Sequence, residues 1–228
     1  MPFLTKQLRS FTKREDGTTM VEFAIVISLF LLIVFAILDF GRLGYTWVAS
    51  EKAMQISARV AAVRPAVCAG VPFFHQRRTG DPGLYPAGTM CRTNGGICVE
   101  PTPVPRCTLA GPFANDAGED TADEIWNRVQ PLLPSNVERN NIQLTYAYNR
   151  QLGFIGGPYV PMITAELLDS DGCNGQVCFQ FVTPLSALAA VAAPSEGPNG
   201  VPVEGGTIPF PNISATLPGE DLNQGVEG

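Results

Sequence analysis

Charge is scarcest in this chain where a water-soluble protein would carry it. Between Met20 and Leu38 only Glu22 and Ser28 are polar, and from Asp39 to Arg64 there is no proline. Catalytic signatures are missing too: no G-x-S-x-G, no P-loop and no H-E-x-x-H occur, and His75 is the only histidine. With no acid or nucleophile beside it in the stretch Phe73-Phe74-His75-Gln76-Arg77-Arg78, His75 reads as a surface residue rather than a base. No C-x-x-C spacing exists, which argues against zinc. Arg77-Arg78 is too small a basic patch, and a net charge of −6 leaves no electrostatic footprint for nucleic acid. These absences describe a chain that performs no reaction and needs no cofactor or metal.

What is present is length without charge. A helix over the apolar run, at 1.5 Å per residue, spans the ~30 Å hydrocarbon core of a bilayer. Lys6, Arg9, Lys13 and Arg14 precede it, so the positive-inside rule keeps the N-terminus in the cytoplasm and sends everything after Asp39 across the membrane. The run is too long for the apolar region of a secretory signal peptide, and no Ala-x-Ala-like site follows it. It reads as a retained anchor whose one processing point is cytoplasmic, at Gly17.

The residues around Gly17 are specific. Gly17 is followed by Thr18-Thr19-Met20-Val21 and then Glu22-Phe23, directly ahead of the long apolar helix, and Asp39-Phe40-Gly41-Arg42 forms the exit. This arrangement resembles the class III signal of prepilins, and with its exit it is similar to the TadE-like family, pseudopilins of the tight-adherence (Flp-type) pilus system. Phe23 stands where many Flp-type prepilins have tyrosine. The resemblance implies cleavage by a prepilin peptidase between Gly17 and Thr18. It also implies that Glu22, fifth in the mature chain, pairs with the new amine of a neighbouring subunit. A carboxylate in an apolar segment is costly without such a partner. The structural alternative puts Glu22 at the headgroup boundary, with Gly17 as punctuation and Thr18 or Thr19 capping the helix.

Beyond the membrane, Leu43, Trp47, Met54, Ile56 and Val60 recur at helical spacing among Arg42, Glu51, Lys52, Gln55 and Arg59. The helix therefore continues as an amphipathic stalk until Pro65 pushes its predecessor out of helical geometry. From Thr18 to Arg64 it would measure about 70 Å. Tyr45 and Trp47 fit either an outer aromatic belt or packing against the exported domain.

All six cysteines, Cys68, Cys91, Cys98, Cys107, Cys173 and Cys178, follow the anchor, and an even count on the exported side argues for disulfides. Connectivity stays open on sequence alone. Turn material at Asn94-Gly95-Gly96 and Asn174-Gly175 favours Cys91 with Cys98 and Cys173 with Cys178, leaving Cys68 with Cys107. Residues 66–117 read as disulfide-pinned loops. Residues 119–133 read as an amphipathic helix, with Ile125, Trp126, Val129, Leu132 and Leu133 on one face and Pro131 fraying its end. Strand patterns follow at 142–148, 162–168 and 177–182, with hairpin signals over 169–175 between the last two.

The expected fold is α+β: a long N-terminal transmembrane and stalk helix packed on a small antiparallel β-meander, with one further helix and disulfide-pinned loops. The resemblance makes this layout pilin-like. The expected organisation is a cytoplasmic leader (1–17), a transmembrane helix (18–39), a stalk (40–64), an exported domain (65–193) and a flexible acidic tail (194–228). Removing residues 1–17, with four basic and two acidic side chains, takes the net charge from −6 to −8. By resemblance the chain is a minor pseudopilin of the bacterial inner membrane, its C-terminal domain periplasmic, its partners a prepilin peptidase and other pilins and pseudopilins. An uncleaved, membrane-anchored binding or scaffold protein of the same apparatus is the alternative.

Overall fold

The computed structural model describes residues 18–78, 85–168, 178–180, 207–209, 213–220 and 222. Its backbone element is α1, Thr18–Val63, 46 residues long and therefore about 70 Å. It ends one residue short of Arg64-Pro65, as the proline requires. α1 is followed by β1 (Arg106–Thr108), α2 (Asp116–Val129), β2 (Ile142–Ala147), β3 (Met162–Leu167), β4 (Cys178–Gln180), β5 (Thr207–Pro209) and β6 (Ser214–Pro218). The fold is α+β. Four strands form one antiparallel sheet in the order β1-β2-β3-β6, while β4 and β5 pair with each other.

Register sorts the sheet's two faces. Ile142 lies opposite Leu167, Leu144 opposite Ala165 and Tyr146 opposite Ile163. All six are buried, because side chains two apart share a face. The other face is polar, with Gln143 opposite Glu166 and the Thr164 and Thr216 hydroxyls 2.9 Å apart. The outer half of α1 covers the buried face, and α2 packs against α1, adding Ala122, Ile125 and Val129 to the same core.

The contact surface of α1 differs from the expected stripe. Met54 and Val60 are buried, but Ala49, Ser50, Ala53, Ser57, Ala58 and Ala61 make up most of the covered face. Small side chains let the helix backbone approach the sheet closely, so the packing face carries less hydropathy than its neighbours. Tyr45 is 72% exposed and Trp47 points outward too, donating from Nε1 to Glu51 at 3.1 Å. The packing alternative for these two aromatics is thereby corrected.

α2 starts three residues before the expected helix. Asn115 caps it, accepting from the Gly118 amide at 2.9 Å. Gly118 is required there, since a Cβ would sit 2.7 Å from the Ala66 carbonyl oxygen. Pro131 cannot continue an α-helix, and the chain passes into a 3-10 turn at Gln130–Leu132. Glu124 pairs with Arg64 (3.1 Å) and with Arg128, tying α2 to the end of α1.

Three expectations are corrected. The third strand of the expected meander does not join the sheet: Cys178–Gln180 pairs with Thr207–Pro209, and the edge of β3 belongs to β6. β6 lies inside the segment read as a flexible acidic tail over 194–228. Beyond it the Glu220 amide donates to the Ala62 carbonyl at 2.8 Å, capping the end of α1. The loop region 66–117 contains β1, an edge strand too short to show alternation. The 169–175 turn lies outside the described residues.

Disulfides join Cys91 to Cys98, as the turn residues between them favour, and Cys68 to Cys107, the pair left over in that reading. Cys173 lies outside the described residues. The first bridge fastens the segment after Pro65 to β1 in the main core. Beside it the hydroxyl of the fully buried Tyr146 accepts the Val67 amide proton at 3.1 Å, and burial pushes the Tyr146 phenol up to about 12.

The second bridge belongs to a separate small core of Cys91, Ile97, Cys98 and Ile155, with Tyr85 and Tyr148 against it. His75 sits here, 2% exposed, which overturns its reading as a surface residue. The reason is non-local: segment 73–78 is clasped to 156–160 by the bonds His75 N–H to Gly157 O, Gly156 N–H to His75 O and Tyr159 N–H to Phe73 O. The Val160 amide donates to His75 Nε2 at 3.1 Å. Gly153, at φ +80°, leaves the ring its space, because a Cβ would lie 2.1 Å from Nε2. The Tyr159 and Tyr148 rings lie 5.0 and 6.2 Å away.

Two predictions follow from these cores. Tyr146→Phe leaves the Val67 amide buried without its acceptor and should lower unfolding free energy by about 1–3 kcal/mol, measured by denaturant titration in micelles. Burial holds His75 below its ordinary value of 6.5. The folded module therefore prefers the neutral ring: its contribution is fully present above 6.5 and is lost as pH falls through the folded value. Protonation turns Nε2 into a donor facing the Val160 donor. Hydrogen exchange corrected for intrinsic rate should show segments 73–78 and 156–160 opening between about pH 7.5 and about pH 5. Equal protection at both would contradict this.

Candidate assembly helix

The inner half of α1 carries the residues singled out by sequence. Gly17 lies outside the described residues, and Thr18 is the first described residue of α1. Glu22 is one turn further along and exposed, as is Phe23. From Met20 to Ile33 every side chain is exposed, so nothing among the described residues covers this surface. The helix is long and apolar enough to cross a membrane, with a most apolar window of mean hydropathy 3.0 that is entirely unburied. Ser28 causes no conflict with lipid, since its hydroxyl donates to the Ala24 carbonyl at 2.7 Å within the helix. Glu22 is thus the one ionisable group on an apolar surface about 19 residues long.

The character of α1 changes at Asp39. This carboxylate is fully buried and stands 3.7 Å from the Arg42 guanidinium, which is itself half-exposed. From there a covered stripe runs through Leu43, Thr46 and Ser50 to Met54, Ser57 and Ala61 at helical spacing, joining the anchor to the domain's core. Phe40, Gly41, Gly44, Tyr45 and Val48 stay exposed. Leu43 and Met54 were foreseeable from hydropathy, whereas Asp39 was not: an acid ending an apolar run reads as solvent-facing unless the covering chain is known. The structure thus brings Glu22 and Phe23 together on uncovered helix, far along α1 from the cysteines, and creates no shared pocket between them.

The chemistry on offer here is association. An apolar cylinder with one carboxylate near its N-terminal end is satisfied by lipid tails and by other helices, and the carboxylate by a cation presented at its own depth. No curated protein and no solved structure matches the chain. Residues 17–59, from the glycine ahead of α1 to the part of the stalk that lies on the sheet, match the family of TadE-like proteins.

Proposed function

We propose that this chain is a minor pseudopilin of a tight-adherence type IV pilus system, cleaved after Gly17 and held by α1 until it enters an assembly. The observation that carries this reading is the combination at the N-terminus: the TadE-like match starts at residue 17 and continues along α1. Glu22 stands alone on the uncovered apolar surface. Cleavage would turn the Thr18 nitrogen into an ammonium one helical turn from Glu22. The ammonium of one subunit and the carboxylate of its neighbour would neutralise each other at the same depth, which sets the stagger between packed helices.

The basic residues ahead of α1 support a cytoplasmic N-terminus, and the disulfides support an oxidising compartment for the domain. In a bacterium that compartment is the periplasm and the membrane is the inner one. The chain catalyses nothing in this reading; it is the substrate of a prepilin peptidase and the partner of other pilins and pseudopilins.

The protein extracted from membranes should begin at Thr18 by intact mass and terminal peptide sequencing. A chain still beginning at Met1 in cells with active prepilin peptidase would instead make it a fixed anchor whose domain binds another component of the apparatus. Glu22→Ala should leave membrane insertion unchanged while abolishing incorporation and pilus output. Normal piliation in that strain would refute the pairing.

A further inference from the structure

The second core leaves aromatic surface uncovered at one end of the domain. β3 begins at Met162, opposite Pro218, and just beyond Pro218 the Glu220 amide caps Ala62, so residues 156–160 lie at the C-terminal end of α1. That end stands about 35 Å along the rod from Asp39, away from its apolar half. Phe73 is 61% exposed and Phe74 55%, and Met90 and Phe154 are exposed on the same module. Arg78, Arg92 and Arg150 are exposed with them. Aromatic rings, methionine and arginine gathered on one surface are what protein interfaces select.

A cleft of about 140 Å³ opens beside these rings. Pro65 and Ala66, just past α1, line it together with Phe73 and Pro158 from the module and Asn115 and Ala117 from the start of α2. The lining is mostly apolar, and the space suits one aromatic ring, since an apolar cavity of about 150 Å³ binds benzene. Phe74 stands at the rim, because its antiparallel bridge partner is Pro158 and bridge partners carry their side chains to the same side.

We propose that this cleft binds an aromatic ring of a second copy of the chain, Phe74 of each copy entering the cleft of the other. Two features select a second copy. Anchored copies share one membrane depth, so a two-fold axis along the rods sets each cleft level with its counterpart, and the contact closes as a dimer. The charges complement each other across the same axis. Over the described residues of 71–100 and 148–160 the module carries Arg77, Arg78, Arg92 and Arg150 against Glu100 alone, whereas α2 opens with Asp116, Glu119 and Asp120 and has no base before Arg128. A two-fold turn brings the arginine side of one copy to the carboxylate side of the other. The contact needs the anchor but not cleavage after Gly17, so it stands or falls apart from the pilus reading.

The test reconstitutes the full-length chain in liposomes with Phe74 replaced by the photoreactive benzoylphenylalanine, mixes it with isotope-labelled chain, and maps the crosslinked peptides by mass. Position 74 should crosslink to the segments of the labelled copy that line the cleft, around Pro65 to Phe73 and Ala114 to Ala117. Ala117 is half-buried, so Ala117→Leu narrows the cleft and should lower the yield between copies about tenfold. Asp116→Lys, at an exposed position, should lower it about threefold. Crosslinks confined to one chain, to lipid or to the apolar half of α1 would overturn the proposal, as would capture of a different protein alone when the same chain is irradiated in cell membranes. An unchanged yield in a folded Ala117→Leu chain or in the Asp116→Lys chain would overturn it too. The crosslink map and the Asp116→Lys chain decide the matter even if Ala117→Leu misfolds.

Discussion

Everything in this molecule is arranged along one uninterrupted ladder of backbone hydrogen bonds, that of α1. A bilayer offers no water to satisfy an exposed amide or carbonyl, so the crossing segment must satisfy all of them internally. Because no proline falls before Pro65, the same ladder continues out of the apolar run and becomes the first layer of the domain. The anchor and the core helix are one rod. Any partner that grips the uncovered half therefore fixes the position of the domain as well.

The two halves of the rod meet opposite demands with opposite side chains. Inside the bilayer length, large side chains such as Phe23, Leu29 and Phe30 present apolar surface in every direction, which suits lipid and other helices alike. On the sheet, alanine and serine bring the helix close, and the bulk comes from the partner strands as Ile142, Leu144, Tyr146 and Ile163. The domain is then closed by links of large sequence separation: the Cys68–Cys107 bridge, the Tyr146 hydroxyl on the Val67 amide, and the Glu220 amide on the last turn of α1. Each of these fastens a segment that has little regular structure of its own. A small core with few buried large residues depends on such links more than a large one would.

The second core is organised differently, around a histidine rather than an aliphatic cluster. Four backbone-directed bonds clasp the 73–78 segment to 156–160, and the imidazole supplies one of them. That makes the module responsive to protonation in a way the main core, built on aliphatic contacts and one phenol, is not. It also puts the only histidine of the chain beside a disulfide. The two cores thus divide the domain into a part that holds the rod and a part whose stability follows its chemical surroundings.

The anchor, its length, the end of the stalk at Pro65 and the Gly17 to Phe23 pattern follow from sequence by itself, because each rests on composition or on spacing within one helix. The strand segments at 142–147 and 162–167 are legible for the same reason, a period of two along a single run. The pairing of Cys91 with Cys98 is legible as well, since a tight turn between them is a local property. Partner choice is not local. The clearer strand pattern lies at 177–182, yet the three-dimensional path of the chain gives the edge of β3 to Ser214–Pro218 and not to Cys178–Gln180. The same holds for His75, polar in sequence and followed by Gln76, Arg77 and Arg78, yet buried because segments eighty residues apart close over it. Sequence determined the elements that one segment can build alone; tertiary structure decided which of them meet, because burial and edge pairing are properties of two segments together.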